Sequence, residues 1–208
     1  MRRIATYAAE VPRKHRVEVP GGMFHLATRS VHERFSFANT GDRSDFLDVL
    51  STVIETCSWR CMSYCLMGTH YHLILQTPEP NLSSGMKLLN GKYAQRFNRR
   101  HGRRGHLFGG RFYSVSIETE SHLLAALRYV ARNPVEAGLC AAPADWRWSS
   151  FRATLGLERA PRFLDIDRVL GLFDVRVQAA RAQFARLVED SRFQEASDGA
   201  ELVRMDGV

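Results

Sequence analysis

The sequence predicts an α+β fold, an antiparallel sheet with helices packed on one face, on three observations. Segments with a two-residue apolar period alternate with segments of helical period, in the order strand, helix, strand, strand, helix, strand, helix. The central pair of strands is joined only by Met67-Gly68-Thr69, a connection short enough for a hairpin and therefore for antiparallel pairing. With 208 residues, 45% of them hydrophobic and 25% charged, the chain can bury one real core with a peripheral extension, which excludes a wholly disordered protein.

Each element has its own signal. Met23-Phe-His-Leu-Ala-Thr-Arg29 alternates like a strand and is entered through the Gly21-Gly22 turn. Asp42 to Cys57 sets Phe46, Leu47, Val49, Leu50, Val53 and Ile54 at helical spacing. Trp59 to Leu66 and His70 to Gln76 read as the two hairpin strands, and Pro78, Pro80 and Asn81 stop the second. Leu82 to Arg100 follows as a helix with Met86, Leu89, Tyr93 and Phe97 as its buried stripe. Phe112 to Ile117 is a fourth strand. Glu118 to Arg132 is a third helix, with Leu123, Leu124, Leu127 and Val130 facing the sheet and Pro134 ending it. This order suits a ferredoxin-like split arrangement. From Trp146-Arg-Trp-Ser-Ser-Phe151 onward the chain reads as a linker-like appendage, with short helices over Asp165 to Leu172 and Val175 to Val188. The expected divisions are a basic leader over 1–20, a main domain over 21–151, a C-terminal helical extension over 152–190 and an acidic tail over 191–208.

Charge is unevenly spread. The net charge is +7, and from Pro80 through Ile117 there is no Asp or Glu, while Lys87, Lys92, Arg96, Arg99, Arg100, Arg103, Arg104 and Arg111 all fall in that window. A basic stripe of this kind suits a polyanionic partner. The segment from His101 to Arg111 has four glycines among basic and aromatic residues, which describes a conformable loop able to bring backbone amides against phosphate or to lie as a solvated turn. Tyr113, beside that loop, is placed to stack on an unpaired base. No stretch reaches the length of a membrane helix and the N-terminus lacks a secretory core, so a cytoplasmic protein with no membrane partner is expected. Its four cysteines, Cys57, Cys61, Cys65 and Cys140, are then reduced thiols in or near the core. The even spacing of the first three also resembles a zinc pattern, but without a Cys-x-x-Cys knuckle core packing explains it better.

His70-Tyr71-His72 is the most informative motif. Side chains alternate along a strand, so His70 and His72 share one face with Ile74, while Tyr71, Leu73 and Leu75 take the other. Two neutral imidazoles one strand repeat apart can hold a divalent cation. On the third helix, Tyr129 and Asn133 are four residues apart and project from one face. If that helix lies beside the histidine strand, the Asn133 carbonyl oxygen is a third ligand. Tyr129 then stands beside the metal, where its oxygen can attack phosphorus in a phosphodiester. Tyr93, the main competing tyrosine, has Phe97 at the next same-face position, which makes it a core residue.

Four blocks, Tyr64 to Leu73, Leu89 to Gly102, Gly105 to Phe112 and Arg128 to Val135, with Trp146 to Phe151 in addition, resemble REP-associated tyrosine transposases. These are chromosomal relatives of the single-tyrosine HUH transposases of small insertion sequences. The resemblance runs from about Arg13 to Phe151. It implies a ferredoxin-like catalytic domain, a divalent metal ion (Mg2+ or Mn2+) and cleavage and rejoining of single-stranded or hairpin DNA through a 5′-phosphotyrosine. By position it makes His70 and His72 the metal pair, Tyr129 the nucleophile and Asn133 the third ligand. Lys92, Arg96, Arg99, Arg100, Arg103, Arg104, Arg111 and Tyr113 become the DNA-binding set. Two departures stand out: Tyr71 occupies the middle position where a bulky hydrophobe is usual, and Gly68-Thr69 stands where a Pro-Asn pair is common. The resemblance also implies a bacterial protein, nucleoid-associated when bound to DNA, as monomer or homodimer. The competing expectations are a non-catalytic domain that grips hairpin DNA or RNA, and a replication or mobilisation nuclease of the same motif class.

Overall fold

The computed structural model describes residues 18–31 and 35–190. The leader cations Arg13, Lys14 and Arg16 and the tail acids Glu195, Asp198 and Glu201 lie outside the described residues. Strands β1 (Gly22–Arg29), β2 (Arg60–Leu66), β3 (His70–Thr77) and β4 (Tyr113–Ser116) form one antiparallel sheet in the order β2-β3-β1-β4. With helices α1 (Thr40–Cys57), α2 (Leu82–Arg100) and α3 (Glu120–Glu136), this is the expected ferredoxin-like arrangement.

The alternation of β3 divides the interior into two cores. Tyr71, Leu73 and Leu75 pack with α1 and α2, among Phe46, Leu50, Val53, Met86, Leu89 and Tyr93. Ile74 faces the other way, into Leu123, Leu127 and Val130 of α3. The expectation of helices on one face therefore holds for α1 and α2 and needs correction for α3, which covers the opposite face. Both sides of β3 are apolar apart from its two histidines, and a strand of that composition must be covered twice. Full burial of a leucine such as Leu73 contributes about 2 kcal/mol.

Local chemistry sets the helix ends. Asn39 caps α1 by accepting from the Asp42 amide at 3.0 Å, and Asp42 accepts in return from Ala38 and Asn39, so the helix begins two residues before the expected start at Asp42. Asp42 is buried and also meets Arg100 (3.2 Å) and His101 (2.8 Å), tying the start of α1 to the end of α2. The other ends meet through Asn81, which accepts from the Trp59 indole and donates to the Cys57 carbonyl. Gly85 lets this contact close, because a Cβ there would fall 2.2 Å from the indole ring. Pro134 does not end α3. It lies buried within the last turn, where it forfeits one backbone bond, and the Ala137 amide closes the turn on the Asn133 carbonyl at 3.0 Å.

The segment after Trp146 is not linker-like. The Trp148 carbonyl accepts from the Leu66 amide (2.8 Å), the Trp146 indole donates to the Leu66 carbonyl (3.1 Å), and the Ser150 amide donates to the Tyr64 carbonyl (2.9 Å). Farther on, the Asp165 amide donates to the Cys61 carbonyl (2.8 Å). Together these close the exposed edge of β2, whose backbone groups need partners. The Arg43 guanidinium of α1 lies over the rings of Trp146 and Trp148. Short helices α4 (Phe151–Leu155) and α5 (Ile166–Leu170) lead to α6 (Val177–Glu189), which shares a core with α3 through Phe184, Leu187 and Val188. Arg128 and Arg132 of α3 donate to the carbonyls of Asp190 and Val188, capping that helix end with positive charge.

A register shift between Cys61 and Ser63 sends Cys61 into the α1/α2 core and Cys65 into the α3 core, so the evenly spaced thiols face opposite sides. Burial pushes the Cys61 thiol up to about 12 and the Cys65 thiol higher still. A thiol-specific disulfide reagent at pH 8 is therefore expected to label the partly exposed Cys57 and Cys140 in the native chain, and Cys61 and Cys65 only after denaturation. Peptide mass spectrometry reads the outcome, and native labelling of Cys61 would contradict the packing.

Candidate active site

The site forms where α3 crosses the face of the sheet that carries His70 and His72. His70 pairs with Arg29 of β1 and His72 with Ala27, so the two imidazoles lie on a central strand, β3, with their rings 5.2 Å apart. Both are buried. The α3 periodicity brings Asn133 and Tyr129 over them. His70 Nε2 and Asn133 Oδ1 are 3.2 Å apart, and the Tyr129 ring stands edge-on to His72 with centroids 5.5 Å apart. The Thr69 hydroxyl lies 3.2 Å from the other His70 nitrogen, Nδ1. All four residues singled out from the sequence as reacting or ligating groups are thus brought together.

A third histidine belongs to the cluster and was missed in the sequence. His25 of β1 is fully buried, its Nε2 is 3.2 Å from His72 Nδ1, and its ring is 5.6 Å from that of Tyr129. The signal was its phase: His25 alternates with Met23 and Ala27 on one face of the first strand. The register that sets it diagonal to His72 exists only in the sheet.

The donors suit a divalent cation. His72 Nε2 is buried and has no hydrogen-bond partner, and the His70 and Asn133 atoms are close enough to share one ion. Among the described residues no trio of His, Cys, Asp and Glu side chains converges on a metal position, and the oxygen nearest His70 Nε2 is Asn133 Oδ1. Burial lowers the pKa of His70 to about 4, with the Asn133 contact opposing and Arg29 adding to the shift. It lowers that of His25 to about 3, with His122 adding to it, and holds His72 well below the ordinary value. All three rings are neutral at physiological pH, as ligand imidazoles must be.

The basic residues distribute differently. Lys92, Arg96 and Arg99 are exposed on α2, across the sheet from the histidines. Arg100 is engaged by Asp42 at 3.2 Å and Asp45 at 2.6 Å, which removes it from the free cations. Arg103 lies over the Phe97 ring, while Arg104 and Arg111 are exposed on the following loop. Gly102, Gly105 and Gly110 take positive φ there, as a tight basic loop requires. The loop docks beside the site: Val31 donates to the Leu107 carbonyl and Gly109 to the Arg29 carbonyl, at the end of β1 that pairs with His70. Tyr113 is 55% exposed and pairs with Ala27, which pairs in turn with His72. Cross-strand partners share a face, so Tyr113 and His72 stand in one row with only an alanine between them.

The histidines also set an acid response. In the unfolded chain an imidazole titrates near 6.5, whereas folded His70 and His25 stay neutral to about 4 and about 3. Between these values the unfolded state binds more protons. Stability of the metal-free protein is therefore expected to be fully present above 6.5 and to fall as pH drops toward 3. Denaturant titrations across that window check this, with a shallower slope expected for His70→Gln.

The family model described as "Transposase IS200 like" matches residues 19–133. A Haemophilus influenzae protein named "Putative REP-associated tyrosine transposase" is 24% identical over 152 residues, covering 68% of this chain and 86% of that protein. The structure of a REP-associated tyrosine transposase bound to a REP hairpin superposes with a TM-score of 0.62 at 18% identity, over 73% of this chain and 89% of that chain, a likeness of fold. Among the described residues no helix is long and apolar enough to cross a membrane. With its matched segment spanning more than half its length, from the turn before β1 to Asn133, the chain belongs to the IS200-like transposase family, whose members are HUH tyrosine transposases.

Proposed function

We propose that this chain is a metal-dependent endonuclease and strand transferase of single-stranded DNA, acting at palindromic hairpins through a 5′-phosphotyrosine on Tyr129. The observation that supports it is the Tyr129 ring set against His72, in a site where His70 and Asn133 converge. His70, His72 and Asn133 would hold the divalent cation, Mg2+ or Mn2+, which when bound supplies Lewis-acid polarisation of a phosphodiester oxygen. Two imidazoles with one amide oxygen shift the preference toward Mn2+.

Tyr129 Oη attacks phosphorus and gives up its proton to water. The bond from phosphorus to the 3′ oxygen breaks, that oxygen takes up a proton, and the 5′ phosphate stays on the tyrosine as an ester. Attack by another 3′ hydroxyl forms the new DNA linkage and restores the phenol. The ester conserves the phosphodiester, so rejoining needs no external energy source. Lodging Tyr129 on a packed helix, rather than a loop, limits how far its oxygen can stray from the attack geometry.

Binding is assigned to two regions. Lys92, Arg96 and Arg99 on α2, with Arg104 and Arg111 on the loop, form a basic track that leads round the sheet toward β4. There Tyr113 offers a stacking platform in the row of His72 for a base next to the cleaved phosphate.

The decisive experiment incubates the protein with labelled single-stranded hairpin DNA from beside its own gene, with Mn2+ or Mg2+, followed by denaturing electrophoresis. A covalent protein–DNA band is expected for the wild type and its complete loss for Tyr129→Phe, with hairpin binding kept. Undiminished cleavage by Tyr129→Phe would remove the tyrosine from its role, and hairpin binding without any band would favour the non-catalytic reading. The arginines separate in the same way. Arg96→Ala is expected to leave stability unchanged and to reduce the slope of log affinity against log salt by about 1. Arg100→Ala is expected to cost about 1 kcal/mol of folding stability, because Arg100 is partly exposed and His101 still faces the buried Asp42. Equilibrium unfolding and salt-dependent fluorescence anisotropy read both variants.

A further inference from the structure

His25 has no part in the chemistry derived above, yet it is wholly buried in the sheet, where a polar ring is costly unless it has a partner. Its Nε2 faces His72 Nδ1 at 3.2 Å, and one of the two nitrogens carries the shared proton. The far side of His72 decides which. His72 Nε2 is buried with no hydrogen-bond partner. If His25 donated, His72 would be neutral with its proton on Nε2, and a buried N–H would be left without an acceptor. Orphaned buried N–H groups are rarer in folded proteins than under-used acceptors. If His72 donates from Nδ1, only a lone pair is left at Nε2, and a lone pair is what a cation takes.

We propose that His25 is a positioning residue: its Nε2 accepts from the Nδ1 proton of His72, fixing the tautomer and ring angle that leave His72 Nε2 free to bind a divalent cation. The inference rests on the metal-binding reading of His70 and His72. The sheet makes the contact rigid, because His25 pairs with Ile74 and so lies diagonal to His72 on the same face. The Tyr129 ring closes over both imidazoles, with centroids 5.6 Å from His25 and 5.5 Å from His72. A tilt of His72 would therefore move against the nucleophile as well. Such outer hydrogen bonds orient ligand imidazoles and raise their basicity.

The first test needs neither metal nor activity. Long-range proton–nitrogen correlation spectra of the metal-free, nitrogen-15 histidine-labelled full chain read the tautomer of His72, assigned by the signals lost in His72→Asn. The Nδ1–H form is expected, and the Nε2–H form would overturn the inference even if the protein binds metal. The second measures Mn2+ binding by electron paramagnetic resonance. His25→Phe is expected to weaken Mn2+ binding about 10- to 100-fold. His25→Gln, whose carbonyl can still accept from His72, is expected to restore most of it. Equal affinity for wild type and His25→Phe would overturn the inference, as would equal losses in His25→Phe and His25→Gln. Wild-type protein that shows the Nδ1–H form but binds no Mn2+ would instead overturn the underlying metal reading, and the ligand-positioning role with it.

Discussion

The alternation of side chains along β3 is the constraint on which the structure depends. The strand lies inside the sheet with helices on both faces, so every residue from His70 to Leu75 is buried. Its odd positions, Tyr71, Leu73 and Leu75, anchor α1 and α2, and its even positions, His70, His72 and Ile74, receive α3. A shift of one residue in register would drive two imidazoles into an aromatic and aliphatic core and bring Tyr71 to the site face. The apolar residues between and beyond the histidines thus keep the histidines in place. Tyr71 has a structural part in this. Its ring packs on Phe46 at 4.6 Å and its hydroxyl donates to Asn90, which accounts for a tyrosine where a hydrophobe is usual.

Much of this was legible in the residues, and what was not has identifiable causes. The start of α2 and, within one residue, the end of β3 agree with the expected spans because both are bounded by strong punctuation at Pro78, Pro80 and Asn81. Tyr93 packs in the core and its hydroxyl donates to the Ser36 carbonyl, in keeping with its place on the apolar stripe. Pro134 misled because local preference says stop, while its position in the final turn makes the forfeited bond tolerable. The strap over β2 was invisible because it pairs through the backbone, which leaves no pattern in side-chain type. Arg100 was grouped with the free cations because Asp42 and Asp45 are more than fifty residues away in sequence. His25 needed a strand register that no local rule supplies.

On the proposed reading, the same geometry would separate gripping from cutting. The exposed cations of α2 lie across the sheet from Tyr129, and the glycine-rich loop that follows them runs to the strand edge where Tyr113 shares the row of His72. A flexible polyanion held on one side and threaded round an edge would present its backbone to the other, without the helix that carries the tyrosine having to carry positive charge on its site face as well. The arginines that α3 does possess, Arg128 and Arg132, are spent on the carbonyls at the end of α6.

The neutrality of the donors has a thermodynamic consequence. On the proposed reading, two uncharged imidazoles and an amide would leave a bound dication with its whole charge in a poorly hydrated place, whereas a carboxylate ligand would cancel part of it. A phosphodiester entering the site would relieve part of that charge. Cation and DNA should therefore raise each other's affinity by one common factor, as linkage requires. The protein would then be a poor metal binder alone and a good one once the strand is in place, so that nucleophile and Lewis acid would be assembled together chiefly when there is a target to receive them.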